Sequence, residues 1–173
     1  MPSVSGEFCA SFHPFFVQRV ILPPMLLTLA HVGPRFGPKD PLDPPTRVYL
    51  ERCAPFARAE SQAFKTEDAF LEWLARQPGR VPTTPVLLDS RGKLMSSEDF
   101  AAWLGARRDQ GAQHIVFAIG PASGWSAAAR TRAQLLLSLG PLTLAHALAR
   151  LVLAEQLYRA TTILTGHPYH SGH

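Results

Sequence analysis

The chain is poor in cysteine, in lysine and in unbroken apolar runs. Cys9 and Cys53 are its only two cysteines in 173 residues, too few for a disulfide framework or a thiolate metal cluster. Nothing therefore points to an oxidising compartment, and the cytoplasm is the expected location. Charged residues make up 17% against 46% hydrophobic ones, a low share that goes with a large buried or subunit-facing surface and predicts a dimer. Lysine is confined to Lys39, Lys65 and Lys93, so most of the 17 basic residues are arginine, whose planar fork suits phosphate and carboxylate. A net charge of +4 permits a nucleic-acid partner without demanding one. The most apolar stretch, Phe12 to Leu27, is interrupted by Pro14, Arg19, Pro23 and Pro24. It falls short of the roughly 18 unbroken apolar residues of a spanning helix and has no basic cluster before it, so neither a membrane segment nor a signal peptide is expected.

What is present is a chain long enough for one domain with one core. Met25 followed by Leu-Leu-Thr-Leu-Ala-His-Val-Gly reads as a buried first strand closed by Gly33. The domain is accordingly expected to span 25–173, with residues 1–24 an extension or an upstream start. Prolines 34, 38, 41, 44 and 45 make Gly33 to Pro45 a loop. Helical spacing runs through Thr46 to Ala59 and through Thr66 to Arg76, the second helix capped by Thr66 with Phe70, Trp73 and Leu74 on one face. Val86 to Asp89 reads as a strand, Ser90 to Lys93 as a turn, and Ser96 or Ser97 as the cap of a helix carrying Phe100, Trp103 and Leu104. Ile115 to Ile119 lacks charge, as does a strand covered on both faces. Ser126 is placed to cap a helix through Leu137, Leu142 to Leu144 reads as a last short strand, and Ala145 to Leu164 as a long helix. The alternation predicts an α/β fold with a mainly parallel sheet.

Three places carry candidate chemistry. Gly120-Pro121-Ala122-Ser123-Gly124 leaves a strand end and enters a helix, where open α/β sheets bind ligands, although it matches neither a dinucleotide fingerprint nor a phosphate loop. Leu137 to Leu144 sets a Gly-Pro break inside apolar residues, offering the flat burial and exposed backbone groups that an adenine ring needs. The last helix and the tail carry His146, Arg150, Glu155, Tyr158, Arg159, His167, Tyr169, His170 and His173. Glu155 and Arg159 have the spacing of a helical ion pair. The tail sequence around the histidines offers neither a carboxylate nor a cysteine as a further ligand, so no metal site is expected. Arg150 and Tyr158 lie two turns apart, near one face, able to meet a phosphate or a base.

Taken in order, these stretches resemble the bacterial pseudouridine N3-methyltransferases of large-subunit ribosomal RNA, which are minimal SPOUT proteins. The resemblance runs through Met25 to Gly33, Tyr49-Leu50-Glu51-Arg52, Leu88-Asp89 with Gly92-Lys93 and Ser96-Ser97-Glu98, then Phe117 to Gly120 with Gly124, and Leu137 to Thr143 with His146. It is most specific at Arg150, Glu155-Gln156-Leu157-Tyr158-Arg159-Ala160 and Tyr169-His170. It implies an α/β trefoil knot, an exception to unthreaded chain topology. It also implies S-adenosylmethionine as cofactor, held by Leu88, Gly120, Leu139, Gly140, Pro141, Leu142, Thr143 and Leu144.

The family acts as a homodimer on ribosomal RNA in the assembled ribosome, one subunit's tail reaching the other's cofactor. His146, Arg150, Tyr158 and His170 are by resemblance the residues that position the nucleotide or assist proton loss, with Arg150 as anion holder and His170 contributed by the partner. The chain departs from the family at Pro121, where a second glycine is usual, and at Ala145, where a proline is usual. Pro121 has no backbone N–H. That departure motivates the alternative expectation, a catalytically impaired SPOUT-fold protein that binds RNA or the ribosome.

Overall fold

The computed structural model describes residues 25–37, 39–78 and 81–171, apart from the side chains of His170 and Ser171. The expected N-terminal extension, residues 1–24, lies outside the described residues. Five strands, β1 Leu26–Val32, β2 Arg58–Phe64, β3 Thr84–Leu94, β4 His114–Ile119 and β5 Leu135–Ser138, form one sheet in the order β2-β1-β4-β3-β5. Every pairing is parallel, as expected.

Five helices join and cover the strands: α1 Asp43–Arg52, α2 Glu67–Ala75, α3 Ser97–Asp109, α4 Ala127–Arg132 and α5 His146–Thr165. The period of two along β1 sorts its side chains between two cores. Leu27 and Leu29 pack with Leu50 of α1, Phe100 and Leu104 of α3, and Leu153 and Leu157 of α5. Ala30 and Val32 pack with Phe70 of α2, Ala129 of α4 and Trp125. β4, apolar from Ile115 to Ile119, is buried on both sides for that reason. The caps follow the sequence: Thr66, Ser96 and Ser126 accept from the backbone N–H of Ala69, Asp99 and Ala129. Gly166 ends α5 in the left-handed region at φ 68°.

Three expectations need correction. The first helix runs over Asp43–Arg52 instead of Thr46 to Ala59. Pro44 and Pro45 fit its first turn, where N–H groups have no intrahelical partner, whereas Pro55 forbids its continuation. The residues beyond it form β2, a polar edge strand whose sequence Arg-Ala-Glu-Ser-Gln-Ala-Phe lacks the apolar signature of a strand. The helix capped by Ser126 stops at Arg132, because Leu135–Ser138 pairs with β3 as β5, docked by Gln134 N–H on the Pro85 carbonyl at 2.8 Å. Leu142 to Leu144 is no strand but a loop, with Leu142 80% exposed.

β3 is longer than Val86 to Asp89 and contains the expected turn as an excursion. Leu137 of β5 stands opposite both Leu88 and Lys93, so the chain between them arches around β5. Gly92 is at the closest point: a Cβ there would lie 2.6 Å from the Leu136 carbonyl carbon and 2.8 Å from that of Leu137. Only hydrogen fits.

Candidate functional site

The parallel sheet brings four strand ends into one row. His31 of β1 pairs with Ile119 of β4, Ile119 with Leu88 of β3, and Leu88 with Leu137 of β5. Ligands of open α/β sheets bind beyond such C-terminal ends. Leu88, Gly120 and the loop from Leu139, expected from separate parts of the sequence, thus start from adjacent positions.

Beside this row a cavity of about 200 Å³ is lined by Leu137, Ser138, Leu139, Met95, Phe100 and Gln156 among others. Its walls are mostly apolar, with the β5 backbone turning into the 139–145 loop at Gly140, whose φ is 130° and which has open space where a Cβ would be. Pro141, Leu142 and Thr143 are exposed, while Leu144 packs against the core. An apolar slot with free backbone at its mouth suits an adenine-bearing cofactor. Gln156 on its floor accepts a hydrogen bond from Ser97 Oγ at 2.8 Å and donates to Glu155 at 2.6 Å.

The glycine loop is fixed from three directions. The Trp125 indole N–H donates to the Leu88 carbonyl at 3.0 Å, and its ring fills the space beside Gly120, where a Cβ would be 2.8 Å away. Glu67 of α2 accepts from both the backbone N–H and the hydroxyl of Ser126. Asp89 accepts from Arg91 and, at 2.8 Å, from Arg130 Nε of α4. The Arg91 hydrogen bond is the main reason that the Asp89 carboxyl is held well below the usual carboxylate range. Within the loop, Pro121 contributes its carbonyl, which accepts from Gly124 N–H at 2.8 Å, and Gly124 takes φ 80°.

Arg150 and His146 meet a second set of groups near the C-terminal end of β1. Arg150 is 2% exposed. Its Nη2 donates to Asp43 Oδ1 at 3.2 Å, and Asp43 Oδ2 accepts from Arg47 Nε at 2.7 Å. Burial pushes the Asp43 carboxyl up, but the hydrogen bonds from Arg150 and Arg47 outweigh it and leave the carboxyl below its ordinary value. Phe36 places its ring centroid 4.4 Å from the guanidinium carbon. His31, 2% exposed, holds the Pro34 carbonyl through Nε2 at 3.0 Å and lies 5.0 Å from the Phe36 ring. Burial lowers its pKa, and Arg150 and His146 add to that, against the Pro34 hydrogen bond and Asp43. His146 Nδ1 packs against Gly33, 3.5 Å from where a Cβ would be. A cavity of about 390 Å³ opens between β2, α1 and the β1–α1 loop, lined by His31, Phe36, Arg47, Glu60, Ser61 and Arg150 among others.

Tyr158 lies two turns further along α5, in a third cluster. Its ring is 5.9 Å from Tyr49 and 4.7 Å from Tyr169, with the Arg52 guanidinium 5.8 Å away. Arg159 sits 5.1 Å from the Tyr169 ring and 2.8 Å from Glu155, which also accepts from the Tyr169 hydroxyl at 3.2 Å. The Glu155–Arg159 pair is therefore partly buried by the tail. Burial, helped by Tyr49 and the Glu155 charge, pushes the Tyr169 hydroxyl up to about 12. The His170 side chain lies outside the described residues. Among the described residues no group of three or more His, Cys, Asp or Glu side chains could hold a metal ion, and no helix is long and apolar enough to cross a membrane.

A family model for predicted SPOUT methyltransferases matches residues 27–170. The chain belongs to the SPOUT methyltransferase family. Ribosomal RNA large subunit methyltransferase H of Koribacter versatilis (strain Ellin345) is 49% identical over 128 residues, 74% of this chain and 87% of that protein. Its namesake from Brucella ovis is 55% identical over 85 residues, 49% of this chain and 50% of that protein. Among solved structures, the SpoU methyltransferase AviRb from Streptomyces viridochromogenes, in complex with AdoMet, aligns with 16% identity and a TM-score of 0.44 over 83% of this chain and 60% of that one.

In this SPOUT methyltransferase the sequence reading missed His31, Asp43, Phe36 and Trp125. One signal was available. His31 is the only ionisable residue within the apolar run Leu26–Val32, and it stands at the C-terminal end of the strand. The others depend on packing between segments far apart in sequence, which spacing does not encode.

Proposed function

We propose that this SPOUT methyltransferase transfers a methyl group from S-adenosylmethionine to N3 of a pseudouridine in large-subunit ribosomal RNA, acting as a homodimer on the assembled ribosome. The observation that carries this reading is the row of strand ends. It brings Leu88, the residue before Gly120, and Leu137 side by side, in a chain whose family match spans residues 27–170.

The cofactor, when bound, supplies a sulfonium methyl for in-line displacement. Alignment and desolvation are then the protein's main contributions. Leu88, Gly120 and Leu139 to Leu144 hold the cofactor. His146, Arg150, Tyr158 and the partner's His170 position the nucleotide or assist loss of the N3 proton. Two features support the rest of the reading. The arch of β3 around β5 at Gly92 is where a trefoil knot would be threaded. Leu94, Leu142 and Leu148 are exposed, apolar side chains of the kind a second subunit would cover.

The test is incubation of assembled ribosomes, free large subunits and naked ribosomal RNA with labelled S-adenosylmethionine, followed by mass-spectrometric mapping. Methyl transfer to one pseudouridine, on assembled particles in preference to naked RNA, is the expected result; absence of transfer to any of the three sinks the reading. The alternative, a protein that binds RNA without methylating it, is favoured by Pro121, which offers the cofactor no N–H. Calorimetric titration separates the two. Binding of S-adenosylmethionine by the wild-type protein removes the alternative, and binding only by Pro121→Gly establishes it.

A further inference from the structure

Two buried polar groups beside the strand row have atoms without partners. His31 Nδ1 has none, and neither do Arg150 Nε and Nη1. Leaving such atoms unpaired costs free energy, so their placement calls for an explanation. Both side chains lie against the Phe36 ring and line the cavity of about 390 Å³. His31 also pairs in the sheet with Ile119, the residue before Gly120, so the cavity adjoins the loop assigned to the cofactor.

The hydrogen-bond chemistry of the site is specific. A carbonyl oxygen only accepts, so the 3.0 Å contact with Pro34 requires the proton on His31 Nε2. Burial and the Arg150 cation disfavour a second proton on the ring. Nδ1 therefore presents a lone pair, an acceptor, while Arg150 presents N–H donors a short way off. A phosphate or carboxylate has only acceptors and would face the Nδ1 lone pair. An ammonium would face Arg150. A flat neutral group with a donor next to an acceptor fits, and Phe36 offers it an aromatic face on which to stack.

Away from N3, pseudouridine has such an edge and uridine does not. Its N1–H adjoins the C2 carbonyl, whereas uridine carries a C–H at the corresponding ring position. Use of that edge leaves N3 on the other side of the C2 carbonyl, free to face a methyl donor. We propose that His31 Nδ1 accepts from N1–H of the target pseudouridine while Arg150 donates to its C2 carbonyl, making His31 the residue that distinguishes pseudouridine from uridine. The assignment rests on the reading above, in which pseudouridine N3 is the methylated atom. Phe36, now packed over both polar groups, gives way to the base and stacks against it.

The test compares large-subunit particles reconstituted with uridine, pseudouridine or N1-methylpseudouridine at the target position. The wild-type protein is expected to prefer pseudouridine over the other two in kcat/KM by roughly ten- to hundredfold, the penalty for one buried polar atom left unpaired. His31→Leu brings the pseudouridine-to-uridine ratio close to one, with the KM for S-adenosylmethionine unchanged. His31→Gln, which keeps an acceptor oxygen, restores part of the preference. Equal wild-type rates on uridine and pseudouridine overturn the assignment and leave the methyltransferase reading standing. So does an unchanged ratio in His31→Leu. Absence of transfer to all three particles overturns that reading and the assignment with it. The comparison of substrates needs no variant, so a His31→Leu protein that fails to fold does not stop the test.

Discussion

Gly92→Ala separates a steric requirement of the arch from an ordinary glycine preference. Its backbone φ is not in the left-handed region, so an alanine there has no conformational penalty of its own. The obstacle is space. An added Cβ meets the Leu136 carbonyl carbon at 2.6 Å, its oxygen at 2.7 Å and the Leu137 carbonyl carbon at 2.8 Å, and all three belong to the backbone of β5. Overpacking against side chains costs about 1–3 kcal/mol, because rotamers can shift. A paired strand held on its other side by β3 register contacts cannot shift that way, so the expected loss is at least about 3 kcal/mol, a large part of the 5–15 kcal/mol by which domains are stable. Gly105→Ala is the control. Its Cβ would meet the Leu164 Cδ2 methyl at 2.8 Å, the movable end of a side chain, and alanine adds up to about 1 kcal/mol of helix propensity in α3, so the net change is expected within about 1 kcal/mol. Urea denaturation followed by circular dichroism measures both. A Gly92→Ala protein within about 0.5 kcal/mol of wild type, with an unchanged denaturant slope, would refute the steric argument and the close passage of β5 through the arch.

Three further outcomes are expected. Trp125→Phe removes the indole N–H from the Leu88 carbonyl while keeping most of the ring; it should cost about 1–2 kcal/mol in urea denaturation and weaken calorimetric S-adenosylmethionine binding. Asp43→Ala leaves the buried Arg150 guanidinium without its anion and should cost about 3–5 kcal/mol, whereas the Arg47 side chain, 62% exposed, predicts a small effect, under about 1 kcal/mol, for Arg47→Ala. Stability should fall as pH drops. His31 and His114 have lowered pKa values, chiefly from burial, so above the ordinary value of 6.5 both states are neutral and nothing is lost; below it the unfolded chain takes up protons that the native state refuses. Asp43 and Asp89 act lower: their depressed pKa values give stability above 3.8 that disappears as pH falls toward the folded values. Denaturation midpoints at pH 7.5 and 5.5 check the histidine step and midpoints at pH 4 and 2.5 the aspartate step; a midpoint unchanged between 7.5 and 5.5 contradicts the histidine assignment.

The sequence made the central part of the fold readable because there local pattern and burial agree. β1 and β4 are apolar on both faces and lie in the middle of the sheet, and Thr66, Ser96 and Ser126 carry their caps within three residues of the donors they satisfy. The edges were less readable. β2 has the polar composition of a strand with one free edge, and β5, four residues long, had too few positions to separate a strand period from a helical one. At the proposed site, glycine and exposed backbone marked Gly120 to Gly124 and Leu137 to Leu144 as candidates, whereas Leu88 and the assignment of these stretches to a cofactor came from the family resemblance. The pairing of Arg150 with Asp43 spans 107 residues, and no periodicity connects them. Arg150 was expected as an anion holder, and the anion found beside it is the buried Asp43 carboxylate of the chain itself.

The departure at Pro121 is best judged by what holds its loop. A second glycine would add one N–H and more conformational freedom. The chain instead limits the loop by the Trp125 hydrogen bond to Leu88 of β3, the bonds of Glu67 of α2 to Ser126, and the pair of Asp89 of β3 with Arg130 of α4. A loop fixed at that many points loses less entropy when a ligand binds, which offsets part of the missing hydrogen bond. The two effects have opposite signs and comparable size, about 1 kcal/mol each by general magnitudes. Pro121→Gly should therefore change S-adenosylmethionine affinity little in the wild-type background and weaken it in Trp125→Phe, where the loop has lost one of the bonds that limit the freedom glycine adds. A double-mutant cycle read by calorimetry measures that coupling. Additive effects would mean that Trp125 and position 121 act on the cofactor independently, and that the loop's rigidity does not substitute for the donor that proline removes.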